Sequence, residues 1–256
     1  MKVVILAGGL PSTIIEEDEK LPKPMAAIGG RPILWHIMKQ YAYYGYNDFI
    51  ICTGYKGEII KDYFMNFYIY QSDITVDLQT NQVEVHRKKT EDWKISIVDT
   101  GQHSSIMKRI KKVEPYLQNE SFLVTFGDCI SNIHINEMVM QHERSKKTVT
   151  FAVARPTGRN EILPLNQMGQ VDIAHKEIAS KSAWVNASTM VAENEFFHYL
   201  DGDEDLLGIE MLKTLEKDNV VETYRHNGFW QPMETVRDKV ALEAMWHSGK
   251  AIWKVW

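Results

Sequence analysis

The chain has 256 residues, 44% apolar and 25% charged, with a formal net charge of -5. A chain of this length buries a core without staples, and its acidic balance excludes the overall basic field that draws nucleic acid or anionic membranes. Cys52 and Cys129 form no CxxC pair or disulfide framework. The opening apolar run, Val3 to Ala7, is too short for a signal peptide, and no run approaches the roughly 18 residues that span a bilayer, so the expectation is a cytoplasmic chain without membrane or nucleic-acid partners.

Val3-Val4-Ile5-Leu6 ends at Gly8-Gly9, which predicts a buried parallel strand running into a glycine turn. From Pro32 to Tyr44, Ile33, Leu34, Ile37, Met38 and Tyr41 have helical spacing, with proline near the start. Asp48 to Cys52 reads as a second buried strand and Lys56 to Phe67 as a helix. This alternation predicts a mixed, mainly parallel Rossmann-like sheet with helices on both faces. Residues 71 to 100 break the rhythm. Ile74 to Leu78 and Val83 to His86 alternate with period two around Thr80-Asn81-Gln82, a hairpin pattern, and Trp93 to Val98 is a further strand.

A helix is expected near Ile106 to Tyr116. Phe122 to Phe126 is a third buried strand, ending at Gly127-Asp128. Ile135 to Arg144 reads as a helix and Thr148 to Ala154 as a strand. Residues 155 to 182 are polar and irregular. Ala183 to Val191 is a strand, Leu206 to Lys217 a helix, Val220 to Tyr224 a strand, and Thr235 to Trp246 a final amphipathic helix. No repeat or linker divides the chain, so one domain over 1–256 is expected. The nine histidines include no HExxH pattern, and the seven tryptophans suggest no stacking surface for bases.

Ligands of open parallel sheets bind beyond the carboxyl ends of the strands. Two such ends carry polar candidates. The glycines after the first strand let backbone amides approach a phosphate, although a tight strand-to-helix turn needs them equally. Asp128 is either a metal ligand or a helix N-cap or turn residue.

Six segments carry a further signal: LAGG (6 to 9), PKPM (22 to 25), GRPILWHIMKQY (30 to 41), GYKGEIIKDYF (54 to 64), FGD (126 to 128) and FWQPMETVRDKV (229 to 240). On these the chain resembles the sugar-1-phosphate nucleotidyltransferases, a GT-A-like family, and within it the glucose-1-phosphate cytidylyltransferase branch, from Met1 to near Trp256. The resemblance implies transfer of a nucleotidyl group from a nucleoside triphosphate, CTP by likeness, to a sugar 1-phosphate, with Mg²⁺ and release of pyrophosphate. It implies Lys23 and Asp128 as catalytic residues and Gly8, Gly9, Ser12, Lys23 and Arg109 around the nucleotide. It also implies Lys176 and Asn186 at the sugar phosphate, Asp128 and Glu234 on the metal, and a homo-oligomer. The aromatic run Phe64 to Tyr70 (FMNFYIY) is the candidate interface.

Several ligand positions depart from the family pattern. In its first loop, G-G-x-G-T-R, Pro11 replaces a glycine and removes an amide, and Thr13 replaces an arginine that a hydroxyl cannot imitate. The T-G-G-R segment is Ile106-Met107-Lys108-Arg109, placing long side chains where backbone should meet the base. The G-D-G turn is Gly127-Asp128-Cys129. The E-K-P lysine falls on Glu177, followed by Ile178, and the N-G-G turn is Asn186-Ala187-Ser188. Lys176 adjoins Glu177, but if this segment is extended a one-residue shift points to the opposite face. Glu234 stands for an aspartate. Three readings remain open: a nucleotidyltransferase with altered substrate or much reduced activity, a pseudoenzyme that binds without turnover, and a different phosphate chemistry on the same fold.

Overall fold

The computed structural model describes residues 1–9, 21–87, 90–156, 183–200 and 208–256. β1 (Lys2–Leu6) has Val3, Val4 and Ile5 fully buried, which is why its sequence is continuously apolar rather than alternating. A short 3-10 turn at Lys23–Met25 leads to the small pair β2 (Ala27–Ile28) and β3 (Arg31–Pro32), then to α1 (Ile33–Tyr43). All five apolar positions read as the helix face, from Ile33 to Tyr41, are buried. β4 (Asp48–Thr53) follows, parallel to β1.

The helix expected from Lys56 to Phe67 is two helices, α2 (Gly57–Met65) and α3 (Phe67–Tyr70), broken at Asn66. The aromatic run is not one exposed patch. Phe67 meets Trp93 and Tyr63, and Phe64 packs partly against the core, whereas Met65, Tyr68 and Tyr70 face solvent.

β5 (Asp73–Asp77) and β6 (Gln82–Arg87) form the expected hairpin as a separate two-stranded sheet. β7 (Lys94–Asp99) rejoins the main sheet beside β4. The next helix is also split, into α4 (Ile106–Lys112) and α5 (Glu114–Leu117). The break falls before Pro115, which cannot continue an α-helical ladder.

β8 (Phe122–Phe126) lies on the other side of β1, parallel to it. β9 (Cys129–Ser131), α6 (Ile135–Ser145) and β10 (Val149–Ala154) come next. β11 (Val185–Ala192) runs antiparallel between β8 and β10. α7 (Ile209–Lys217) packs Leu215 into the core below. β12 (Val221–His226) pairs parallel with β10 at the edge, and β13 (Trp230–Pro232) pairs with β9. α8 (Val236–His247) starts at Thr235 with a reciprocal capping box to Asp238. It is less amphipathic than its sequence suggests, because only Leu242 is fully buried.

The main sheet has the order β12-β10-β11-β8-β1-β4-β7. Every strand except β11 runs the same way, which bears out the mixed, mainly parallel expectation. Two hydrophobic clusters cover its faces. Among the described residues no helix is long and apolar enough to cross a membrane.

The C-terminal residues close one end of the molecule. Gly29 sits at φ +58°, and a Cβ there would lie 2.0 Å from Trp246 Nε1, so no other residue fits. Its amide donates to Glu243 on α8 at 2.9 Å. His36 is buried nearby, edge-on to Trp35, Trp246 and Trp253.

Candidate active site

The carboxyl ends of β1 and β8 converge as their adjacency requires. The Gly127 amide donates to Leu6 O at 3.0 Å, and Ala7 N donates to Cys52 O at 2.9 Å, so the first glycine turn is held from both sides. Beyond it opens a cleft of about 200 Å³, bordered by Gly8, Gly9, Lys23, Arg109, Phe126 and Asp128 among others. The two polar strand ends singled out from sequence therefore border one cavity.

Lys23 reaches this cavity from the 3-10 turn, where Pro24 and Met25 are buried and anchor the backbone. Its Nζ lies 2.6 Å from Asp128 Oδ2, with both side chains largely but not wholly shielded. Gly127 has little room to vary, since a Cβ there would lie 3.2 Å from both Leu6 O and Pro24 Cγ.

Arg109, expected near the nucleotide, borders the cleft and is almost fully buried. Its Nη1 donates to Thr100 Oγ1 at 2.8 Å and Thr53 O at 3.3 Å, and its Nη2 to Gln102 O at 3.1 Å. The guanidinium thus ties together the loops after β4 and β7. It also packs under the first turn: a Cβ on Gly8 would lie 2.1 Å from Arg109 Nη1. The expected intrusion of long side chains beside it is corrected in part. Residues 106 to 109 are the start of α4, capped by Ser105, and Met107 turns into the core, 2% exposed. Ile106 does line the cleft.

Glu234 follows Met233, whose amide donates to Asp128 O at 2.8 Å, so the two expected metal residues lie on adjoining chain segments. The Glu234 side chain is exposed, and its amide is held by Asp238 Oδ2 at 3.1 Å. No cluster of three or more His, Cys, Asp or Glu side chains suited to a metal occurs among the described residues.

Asn186 and Ser188 belong to β11, not to a free turn. Here the pairing with β10 slips, from Phe151↔Met190 to Val153↔Asn186, and Ser188 takes φ +58° in the bulge. Asn186 Oδ1 accepts from Ser188 N at 3.0 Å. Both line a hollow of about 10 Å³ that shares Phe126 with the main cleft. Ser188 Oγ in turn meets Cys129 Sγ at 3.3 Å, and Cys129 Sγ lies 3.5 Å from Asp128 Oδ1. Burial and the neighbouring Asp128 carboxylate push the Cys129 thiol well up, so it acts here as a neutral donor.

Ser12 and Lys176, with Pro11, Thr13, Glu177 and Ile178, lie outside the described residues. Three further polar or aromatic residues escaped sequence reasoning: Arg155, Trp184 and Arg225. Arg155 directly follows the strand read as Thr148 to Ala154, so the carboxyl-end rule applied to Asp128 pointed to it as well.

Comparison with known proteins agrees with this geometry. The family described as Nucleotidyl transferase matches residues 2–161. The chain is 42% identical to the glucose-1-phosphate cytidylyltransferase of Salmonella typhi and 36% identical to a probable glucose-1-phosphate cytidylyltransferase of Bacillus subtilis, each over 100% of both chains. Among solved structures it is similar to a putative glucose-1-phosphate thymidylyltransferase from Bacillus anthracis, with a TM-score of 0.69 at 16% identity over 96% of this chain and 94% of that one. A UDP-glucose pyrophosphorylase from Acinetobacter baumanii gives a TM-score of 0.70 at 14% identity, over 98% and 95%. These structural likenesses speak to the fold.

Proposed function

Because this chain belongs to the nucleotidyl transferase family, we propose that it transfers a nucleotidyl group from a nucleoside triphosphate, with CTP the first candidate, to a sugar 1-phosphate. The observation that carries this reading is the Lys23–Asp128 pair, 2.6 Å apart, at a cleft floored by Gly8 and Gly9. In the reaction an oxygen of the acceptor phosphate attacks the α-phosphorus. The bond from that phosphorus to the bridging oxygen breaks, and pyrophosphate leaves with the electron pair.

Each residue then has a task. The Gly8-Gly9 turn brings backbone close to the triphosphate, which side chains there would prevent. Lys23 supplies positive charge beside the phosphates, where a fixed donor acts without reorganising. Arg109 holds two of the flanking loops in place. The donor set suits Mg²⁺, which is bound by one or two carboxylates with phosphates and water completing its shell; Asp128 and Glu234 are the residues that would hold it. When bound, Mg²⁺ neutralises phosphate charge.

With CTP and glucose 1-phosphate we expect slow turnover. Pro11 lacks an amide, Thr13 lacks a guanidinium and Glu177 has the wrong charge for its neighbour. Loss of one well-placed transition-state donor slows a reaction by ~100-fold or more. The reading also includes a homo-oligomer. Ile74, Val76, Leu78 and Val83 of the hairpin are exposed on a separate two-stranded sheet, a unit of marginal stability by itself.

The second reading is binding without turnover, which the altered positions Pro11, Thr13 and Glu177 favour. The test is pyrophosphate release across the common nucleoside triphosphates and sugar 1-phosphates with Mg²⁺, beside calorimetry. Turnover with any pair supports transfer. Nucleotide binding without pyrophosphate release supports the second reading, and neither signal overturns both.

A further inference from the structure

A cluster of two arginines and a tryptophan stands on the cleft side of the sheet, outside the site described above. The Arg155 guanidinium carbon lies 3.8 Å from the centre of the Trp184 ring, and that of Arg225 lies 5.8 Å from the same ring. Both are within cation–π reach. Arg155 is fixed further by Nη1, which donates to Ala183 O at 3.1 Å. Among the described residues no carboxylate forms an ion pair with either arginine. Two like charges gathered on one indole, in a chain of net charge -5, make a local field opposite to that of the molecule. Each guanidinium carries five donors in a planar fork, the geometry that matches carboxylate and phosphate oxygens.

The cluster's place in the sheet ties it to the acceptor. Arg155 follows the last residue of β10, Arg225 pairs with Val153 near the end of β12, and Trp184 immediately precedes β11. Because β10 and β12 run parallel to β8, Arg155 and Arg225 stand at the same carboxyl rim as Asp128. Counting along Thr189↔Thr125 and then Val153↔Asn186, past the register slip, puts Val153 and its β12 partner Arg225 level with Asp128, and Arg155 two residues further along. Two strand spacings and two residues separate Arg155 from Asp128, roughly 12 Å. The Asn186–Ser188 bulge lies on the strand between. That separation is too wide for one phosphate to meet both Arg155 and a metal ion held at Asp128, and it suits a hexose carrying an acidic group at each end.

We infer that Arg155, Trp184 and Arg225 form a second anion site on the acceptor side of the cleft, which takes a carboxylate or phosphate on the end of the sugar away from its reacting phosphate. This rests on the transferase reading and narrows its substrate class to acidic sugar 1-phosphates.

The test is calorimetry with glucose 1-phosphate, glucuronic acid 1-phosphate and glucose 1,6-bisphosphate, with inorganic phosphate and free glucuronate as single-anion probes. The wild-type chain is expected to bind one of the doubly acidic sugars about tenfold or more tightly than glucose 1-phosphate, the effect of one charge-assisted contact. In Arg225→Gln, at an exposed position that leaves folding intact, that preference should fall to within about twofold, and Arg225→Lys should restore part of it. No preference in the wild type, or a preference that survives Arg225→Gln, overturns the inference. Inorganic phosphate binding at the arginines as tightly as the doubly acidic sugars also overturns it, in favour of a free-anion site. CTP binding measured in parallel separates the two proposals: its absence counts against the transferase reading, whereas the sugar preference is read without it.

Discussion

His36 makes the fold sensitive to acid by an amount the structure allows to be worked out. Its ring is 1% exposed, edge-on to three tryptophans, and hydrogen-bonded through Nε2 to Ile28 O at 2.8 Å. Burial pushes its pKa from 6.5 down to about 4; the Ile28 carbonyl and Glu243 raise it, while Arg31 and Lys254 lower it, without changing the outcome. The folded pKa lies below the unfolded one, so the unfolded chain takes up the proton first. Stability from a neutral His36 is complete above pH 6.5 and is lost as the pH falls towards 4. Linkage puts the loss at about 2 kcal/mol by pH 5 and about 3 kcal/mol by pH 4. For a chain of this size, 2 kcal/mol corresponds to a Tm shift of about 4–8 °C. The comparison is His36→Gln, whose amide can still donate to Ile28 O but has no proton to gain. Urea unfolding at pH 7 and pH 5 should show the variant less stable at pH 7, yet losing about 2 kcal/mol less on acidification. Carboxylates and His226, whose pKa burial also lowers, are common to both chains and cancel. Equal losses in the two proteins would refute the assignment.

Gly8→Ala places a Cβ 2.1 Å from Arg109 Nη1 and 2.9 Å from Gly54 N, and should cost about 1–3 kcal/mol in urea unfolding; Gly9→Ala, which meets nothing within 4 Å, should stay within about 0.5 kcal/mol of the parent. Asp128→Ala should abolish the Mg²⁺ dependence of pyrophosphate release and change stability by less than about 1 kcal/mol, since its pairing with Lys23 is only partly shielded. Restoring Pro11→Gly, Thr13→Arg and Glu177→Lys together should raise turnover of CTP with glucose 1-phosphate by ~100-fold or more, and no gain would show that these positions do not limit the reaction. Light scattering at micromolar concentration should report an oligomer, and Val76→Glu with Leu78→Glu should lower its mass; an unmodified monomer sinks that reading.

The sheet was legible because parallel strands buried on both faces leave continuous apolar runs, as in Val3 to Leu6 and Phe122 to Phe126. The glycine turn and Asp128 followed, since each begins where such a run stops. Arg109 was legible as a charged residue near the site, but its hold on the carbonyls of Thr53 and Gln102 was not, because these are brought together only when β4 and β7 pair. Ser188 was aligned with a turn, yet it sits in a strand, because a register slip of β10 against β11 leaves no mark in local periodicity. Arg155, Trp184 and Arg225 were missed for a related reason. They flank or belong to β10, β11 and β12, and their ends meet only because β11 runs antiparallel beside β10 and β12 pairs on its other side.

The way the substituted positions pack bears on the choice between transfer and mere binding. Had the cleft lost its purpose, side chains at the glycine positions would have no reason to avoid it. Met107 instead turns into the core, and Cys129 and Ser188 satisfy each other at 3.3 Å, beside Asp128. Ser188 does so from a left-handed backbone that costs a non-glycine residue of order 1–3 kcal/mol and persists only where its surroundings enforce it. Meanwhile Gly8 is held to glycine by the guanidinium beneath it, and Gly127 by its tight contacts with Leu6 and Pro24. Among the described residues, Gly8 and Gly127 thus keep glycine for packing reasons, and the substituted positions Cys129 and Ser188 pack against each other beside Asp128. This packing fits the proposed transfer reading, since a cleft without a task would need neither glycine kept nor Ser188 held in a left-handed backbone.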